Sequence, residues 1–160
     1  MTFSIAARCP RTGMLGVGVA TAVPGVGGIG PYVAPGVGAI ATQSWVNAYL
    51  GIDGLEQLRR GGSAQAVLDA LIGADPGRDV RQLGIVDAAG GSAAWTGPAC
   101  VDWCGQVTGE GFTVQGNMLV GEPTVRAMVD AFQASLHASS PERLLIALEA
   151  GPAAGGSAPG

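Results

Sequence analysis

Glycine alternates with Leu15, Val17 and Val19 through Met14 to Thr21, a two-residue period that predicts a strand with one bare face. The run Thr2 to Arg8 reads as a strand too, and the Cys9-Pro10 and Thr12-Gly13 turn between the two makes them a hairpin. A glycine face predicts another element, or a ligand, lying close to the backbone. Pro24 to Gly36 reads as a Gly/Pro-rich loop and Val37 to Gln43 as the next strand. The pattern then changes to helical spacing. Gly51 to Arg60 and Ser63 to Ala74 read as helices, the second with Val67, Ala70, Leu71 and Ala74 in register behind Ser63 as N-cap. Val80 to Asp87 and Ser92 to Thr96 form a second predicted hairpin, and Phe112 to Leu119 a further strand. Pro123 to Leu136 places Val125, Met128, Val129, Phe132 and Leu136 on one helical face. Ser140-Pro141-Glu142 opens the last helix, with proline in its first turn.

The predicted order is β-β-β-α-α-β-β-β-α-α, an α+β chain. Hairpins imply antiparallel sheet, and amphipathic helix pairs need a sheet face to cover. Two stacked sheets with helices outside satisfy every element; a single mixed sheet with helices on one side is the alternative. A chain of 160 residues fits one domain, taken as residues 1–150, with a flexible Gly/Pro/Ala-rich tail at 151–160.

Composition narrows the chemistry. Net charge is −4, which argues against a nucleic-acid backbone as partner. All eight basic residues are arginine, so chemistries that need a lysine amine are excluded. His137 is the single histidine, and Cys9, Cys100 and Cys104 form no CxxC pair. A metal centre is therefore not expected, nor is any cofactor, and the cysteines read as free thiols. No charge occurs from Thr12 to Ile52, but Pro24, Pro31 and Pro35 break that stretch, and Arg8 and Arg11 sit where a signal peptide needs an apolar run. The expectation is a soluble cytoplasmic protein without a membrane partner. Gly25 to Gly30 fits GxGxxG, but prolines follow where a dinucleotide site needs a helix to begin.

Thr2 is the residue with chemistry. Methionine removal would expose a threonine bearing both a hydroxyl and an α-amine. Such an amine titrates near 7.7–8.0, so a neutral fraction is present at physiological pH to act as base for its own hydroxyl. A non-catalytic Met-Thr start is the competing reading.

Several stretches together resemble one family. They are MTFSIAARCPRTGMLGVGVA at Met1 to Ala20, GVGAIATQSWVN at Gly36 to Asn47, ADPGRDVRQLGIVDAAG at Ala74 to Gly90, CVDWCG at Cys100 to Gly105 and VQGNML at Val114 to Leu119. The chain resembles the domain-of-unknown-function family 1028 (DUF1028), within the Ntn-hydrolase-like superfamily. The resemblance implies a four-layer αββα sandwich of two antiparallel sheets. Family members usually continue with a Gly-Gly-Asp-Arg-Arg-Gly-like segment and a further strand. This chain reads Gly155-Gly156-Ser157 there, which leaves room for a sandwich lacking one C-terminal strand.

The resemblance implies Thr2 as nucleophile and Asn117 as an amide donor to the oxyanion, with turn chemistry as the alternative for Asn117. Gln43 and Asn47 would bind a substrate amide or carboxylate, or else cap the loop after their strand. Thr21 would orient the Thr2 amine, or make a plain strand-end hydrogen bond. The implied activity is amidohydrolysis of a small amide or peptide-like substrate through an acyl-enzyme. Without lysine, proteasome-style peptidase activity is not expected. The other reading is a non-catalytic module that binds a small ligand or assembles with copies of itself, and homo-oligomer packing suits both.

Overall fold

The structure, a computed structural model, describes residues 1–155. These form eight strands and four α-helices. One antiparallel sheet runs β2 (Leu15–Thr21), β1 (Thr2–Arg8), β8 (Phe112–Leu119), β7 (Trp103–Gly109). The other runs β3 (Pro31–Ala34), β4 (Gly38–Ser44), β5 (Arg81–Asp87), β6 (Ser92–Thr96). The sheets pack face to face, with β1 against β4 and β5, and β5 against β8. Helices α1 (Ala48–Arg59) and α2 (Ala64–Ala74) cover the outer face of the second sheet. Helices α3 (Pro123–Ala134) and α4 (Ser140–Ala153) cover the outer face of the first. The single mixed sheet is therefore discarded in favour of two.

Strand alternation assigns each residue to a layer. Phe3, Ile5, Phe112 and Val114 point outward and join Val125, Met128, Val129, Phe132 and Ala147 in one core. Ile40, Leu83 and Ile85 do the same with Leu50, Leu58, Val67 and Leu71 in the other. The glycine face of β2 serves close approach: a Cβ on Gly16 would lie 2.8 Å from Leu144 Cδ1, and one on Gly18 would lie 2.9 Å from Leu148 Cδ1. Helix α4 occupies the space that those side chains would have filled.

Between the sheets the filling is uneven. Ala6, Ala39 and Val86 pack with Leu15 and Val17 toward one end. Toward the other the layer is polar: Ser4, Gln43, Gln82, Gln115 and Asn117 are all buried.

Several boundaries differ from the pattern reading. Residues within the expected Gly/Pro loop form a short 3-10 turn (Val26–Gly28) and then β3, which pairs with β4. The missed β7 is half-exposed and carries a bulge between Trp103 and Gly105. Helix α1 starts at Ala48, behind Asn47. Ser63 does cap α2, its hydroxyl accepting from Ala66 N at 3.3 Å. Ser139 and Glu142 cap α4 reciprocally, with Pro141 in its first turn. That helix continues through Gly151 to Ala153, into the stretch read as tail, because Gly151 is buried against the Phe3 ring. Residues 156–160 of that expected tail lie outside the described residues. No helix among the described residues is long and apolar enough to cross a membrane.

Candidate active site

Thr2 opens β1, which is flanked on both sides, so its neighbours are fixed by register. It stands opposite Thr21 on β2 and opposite Asn117 on β8. By alternation from Phe3 and Ile5, its side chain faces the second sheet. Thr2 Oγ1 lies 2.9 Å from Thr21 Oγ1. Thr21 Oγ1 also donates to the Met1 carbonyl at 3.2 Å and accepts from Val23 N at 3.2 Å. A hydroxyl has one proton to give. With that proton on the Met1 carbonyl, Thr21 receives the hydrogen bond from Thr2. Met1 itself is half-buried beside the Phe3 cluster, and its nitrogen lies 3.9 Å from Met118 Sδ.

Behind Thr2 is an amide network organised by Gln82, a residue that the pattern reading passed over. Gln82 Nε2 shares its two N–H groups among three acceptors, the Gly116 carbonyl at 2.8 Å, Thr96 Oγ1 at 2.9 Å and the Gly105 carbonyl at 3.1 Å. That fixes the nitrogen end and turns Oε1 the other way. Oε1 accepts from Gln43 Nε2 at 2.7 Å and from Asn117 Nδ2 at 3.0 Å. Gln115 Nε2 donates to Ser4 Oγ at 2.7 Å. Gln43 Oε1 and Gln115 Oε1 are buried without a partner, two acceptors left open in this polar layer. Thr113, Gln115 and Asn117 at alternate positions of Phe112 to Leu119 were a visible signal for part of this network, whereas Gln82 is followed on its own face only by Gly84 and Val86.

The predicted residues thus divide. Thr2, Thr21, Asn117 and Gln43 lie in or beside one network, whereas Asn47 stands apart. Its side chain accepts from Tyr49 N at 3.1 Å as the N-cap of α1. Asn47 also reaches Asp75, whose carboxyl is held below the usual carboxylate range, chiefly by the Arg81 hydrogen bond at 2.8 Å. Asn117 lies within β8 and not in a turn; the residue with left-handed backbone is its neighbour Met118, at φ 54°.

Two further non-glycine residues have positive φ: Ser44 at 70°, next to Gln43, and Asp102 at 55°, beside Val101, whose carbonyl accepts from Met118 N. For residues with a Cβ such conformations cost of order 1–3 kcal/mol and gather at functional sites. Two of the three immediately follow Gln43 and Asn117. Two surface clefts are lined by other residues. One of ≈ 240 Å³ is lined by Asn47, Asp53 and Asp75, and one of ≈ 350 Å³ by Arg8, Phe112, Phe132 and Arg143. Neither includes Thr2, Gln43 or Asn117. Among the described residues no group of three His, Cys, Asp or Glu side chains is placed to hold a metal ion.

No curated protein matches this sequence. A crystal structure of protein SPO2555 from Silicibacter pomeroyi, assigned to DUF1028, superposes with a TM-score of 0.91 at 36% identity. The match covers 96% of this chain and 68% of that one. Residues 2–160 match the family of unknown function DUF1028 itself. Sequence and fold agree, and the chain belongs to DUF1028.

Proposed function

We propose that the protein is an Ntn-type amidohydrolase that uses Thr2, after loss of Met1, to cleave a small amide or peptide-like substrate through an acyl-enzyme. The observation that carries this reading is the Thr2–Thr21 hydroxyl pair at 2.9 Å, with Asn117 opposite Thr2 in the neighbouring strand. The layer order of helices, sheet, sheet and helices, with Thr2 opening an interior strand, supports this reading.

Loss of Met1 removes the carbonyl that now takes the Thr21 proton. Thr21 is then able to donate to the Thr2 oxygen or accept from its new amine. The neutral amine takes the Thr2 hydroxyl proton as the oxygen attacks the substrate carbonyl. Asn117 uses one amide N–H on Gln82 and has the second to offer the developing oxyanion. The amine then protonates the leaving nitrogen, and water attacks the acyl-threonine to release the acid. Gln43 Oε1, without a protein partner, offers an acceptor for a substrate N–H. Asn47, committed to its cap, has no part in this reading. No step calls for a metal or cofactor, and the acidic, lysine-free surface gives nucleic acid no footing.

The test is trapping. Met1-free protein is incubated with a β-lactone, which acylates a nucleophilic hydroxyl, and the adduct is located by peptide mass spectrometry. One acyl group on Thr2, absent in Thr2→Ala, supports the reading; no adduct on Thr2 while the fold is intact refutes it.

The second reading is an assembly module. Trp45, Tyr49 and Ile52 are 64%, 69% and 51% exposed at the start of α1 and just before it, an apolar surface suited to a second copy. Sedimentation of the wild type against Tyr49→Asp decides whether copies associate there.

A further inference from the structure

The opposite end of β1 holds chemistry that the Thr2 reading does not use. Cys9 follows β1 directly and is 7% exposed. With Met14, Ser140, Arg143 and Leu144 it lines a cavity of ≈ 10 Å³, room for about one water molecule. Arg143 is 5% exposed, so its guanidinium is a buried charge. Its Nη2 donates to the Phe132 carbonyl at 3.0 Å, and its Cζ sits 3.9 Å over the Phe132 ring. Its Nε is buried with no partner, and among the described residues no carboxylate pairs with it.

A buried guanidinium without a counter-charge is costly, and an orphaned N–H calls for an acceptor. The Cys9 sulfur is the anion that the fold supplies. Ser140 and Thr12 beside the sulfur outweigh the effect of burial and bring its pKa down to about 6. A thiolate there in turn favours the charged form of Arg143. Other charged groups nearby are Arg8 on the same cavity, Arg11 in the turn and Glu110 on the adjoining cleft.

We propose that Cys9 is a site of oxidation by hydroperoxides, with Arg143 Nε as the donor that receives the new oxygen. The thiolate attacks one peroxide oxygen, the S–O bond forms and the O–O bond breaks. Sulfur loses two electrons, and the peroxide is reduced. The leaving hydroxide or alkoxide takes the proton of the attacked oxygen and departs as water or alcohol, and the sulfenate oxygen left on sulfur occupies the cavity facing Arg143.

The other cysteines provide the internal control. Cys104 is pushed up by burial and by its neighbour Cys100, so it should remain a thiol at neutral pH.

The experiment exposes the full chain to hydrogen peroxide, traps sulfenic acid with dimedone and maps the adducts. Cys9 is expected to be trapped at least about tenfold faster than Cys104, and Arg143→Gln to slow Cys9 by about tenfold. Should Arg143→Gln fail to fold, Ser140→Ala carries the same test with a smaller slowing. In parallel, the thiolate absorbance lost in Cys9→Ser should titrate near 6. Trapping at Cys9 no faster than at Cys104, or a Cys9 titration in the ordinary thiol range, overturns the proposal.

Discussion

Thr2 and Thr21 share a hydrogen bond of 2.9 Å across the β1–β2 pair, and the one Thr21 proton goes to the carbonyl of Met1, the residue whose loss the proposed mechanism requires. In that mechanism the pair is arranged differently before and after Met1 is removed. Thr21→Val keeps the shape and strand preference while deleting the hydroxyl. Stability is expected to fall by about 1 kcal/mol, and β-lactone acylation of Thr2 by about tenfold or more. Equal acylation rates in the two proteins would leave Thr21 as a strand-end contact only.

Gln82 is the most connected side chain of the polar layer. Gln82→Leu strips partners from Gln43, Asn117, Thr96 and the carbonyls of Gly105 and Gly116. Leaving buried polar groups unpaired costs about 1–3 kcal/mol each, so urea unfolding should show a loss of at least about 3 kcal/mol. A loss under about 1 kcal/mol would mean that water replaces the glutamine freely.

Gly84 lets the sheets approach. A Cβ there would collide with Gln115 Oε1 and Thr113 Oγ1. Gly84→Ala should cost about 1–3 kcal/mol by overpacking. Gly27→Ala, with nothing within 4 Å of the new atom, should stay within about 0.5 kcal/mol of wild type. Comparable thermal midpoints for the two variants would contradict the close packing of the inner layer.

These positions also show what the chain discloses by pattern. Phe3, Ile5 and the face of α3 from Val125 to Phe132 repeat at the spacing of their elements, and the pattern locates them within a residue or two. Strand β3 has four residues and begins at Pro31, too short for a period to emerge from a Gly/Pro-rich run. Strand β7 lies at a sheet edge, half-exposed, so burial imposes little apolar alternation on it. Of the candidate site, Thr2 was legible because its chemistry depends on chain position. Gln82 was not, because a buried glutamine and a surface one look alike until the opposing sheet is in place.

The Asp75–Arg81 pair fixes the start of β5 beside the α1 cap. Arg81 Nε lies 2.8 Å from Asp75 Oδ2, and Asp75 Oδ1 accepts from Gly77 N at 2.9 Å. The Asp75 pKa is depressed in the folded protein, first by the Arg81 hydrogen bond. Its stabilisation is thus present above the unfolded value of about 3.9 and is lost as pH falls through the folded one. Asp75→Asn should lower stability at pH 7 by about 1–3 kcal/mol and flatten the acid limb of the stability profile. An unchanged acid limb would show that other carboxylates set it.

The central claim depends on the first bond of the chain. The intact mass of the protein isolated untagged from its own host reads that bond directly. The account predicts a mass short of one methionine, with Thr2 as the first residue. Full retention of Met1 would leave Thr2 without a free amine and contradict the amidohydrolase reading.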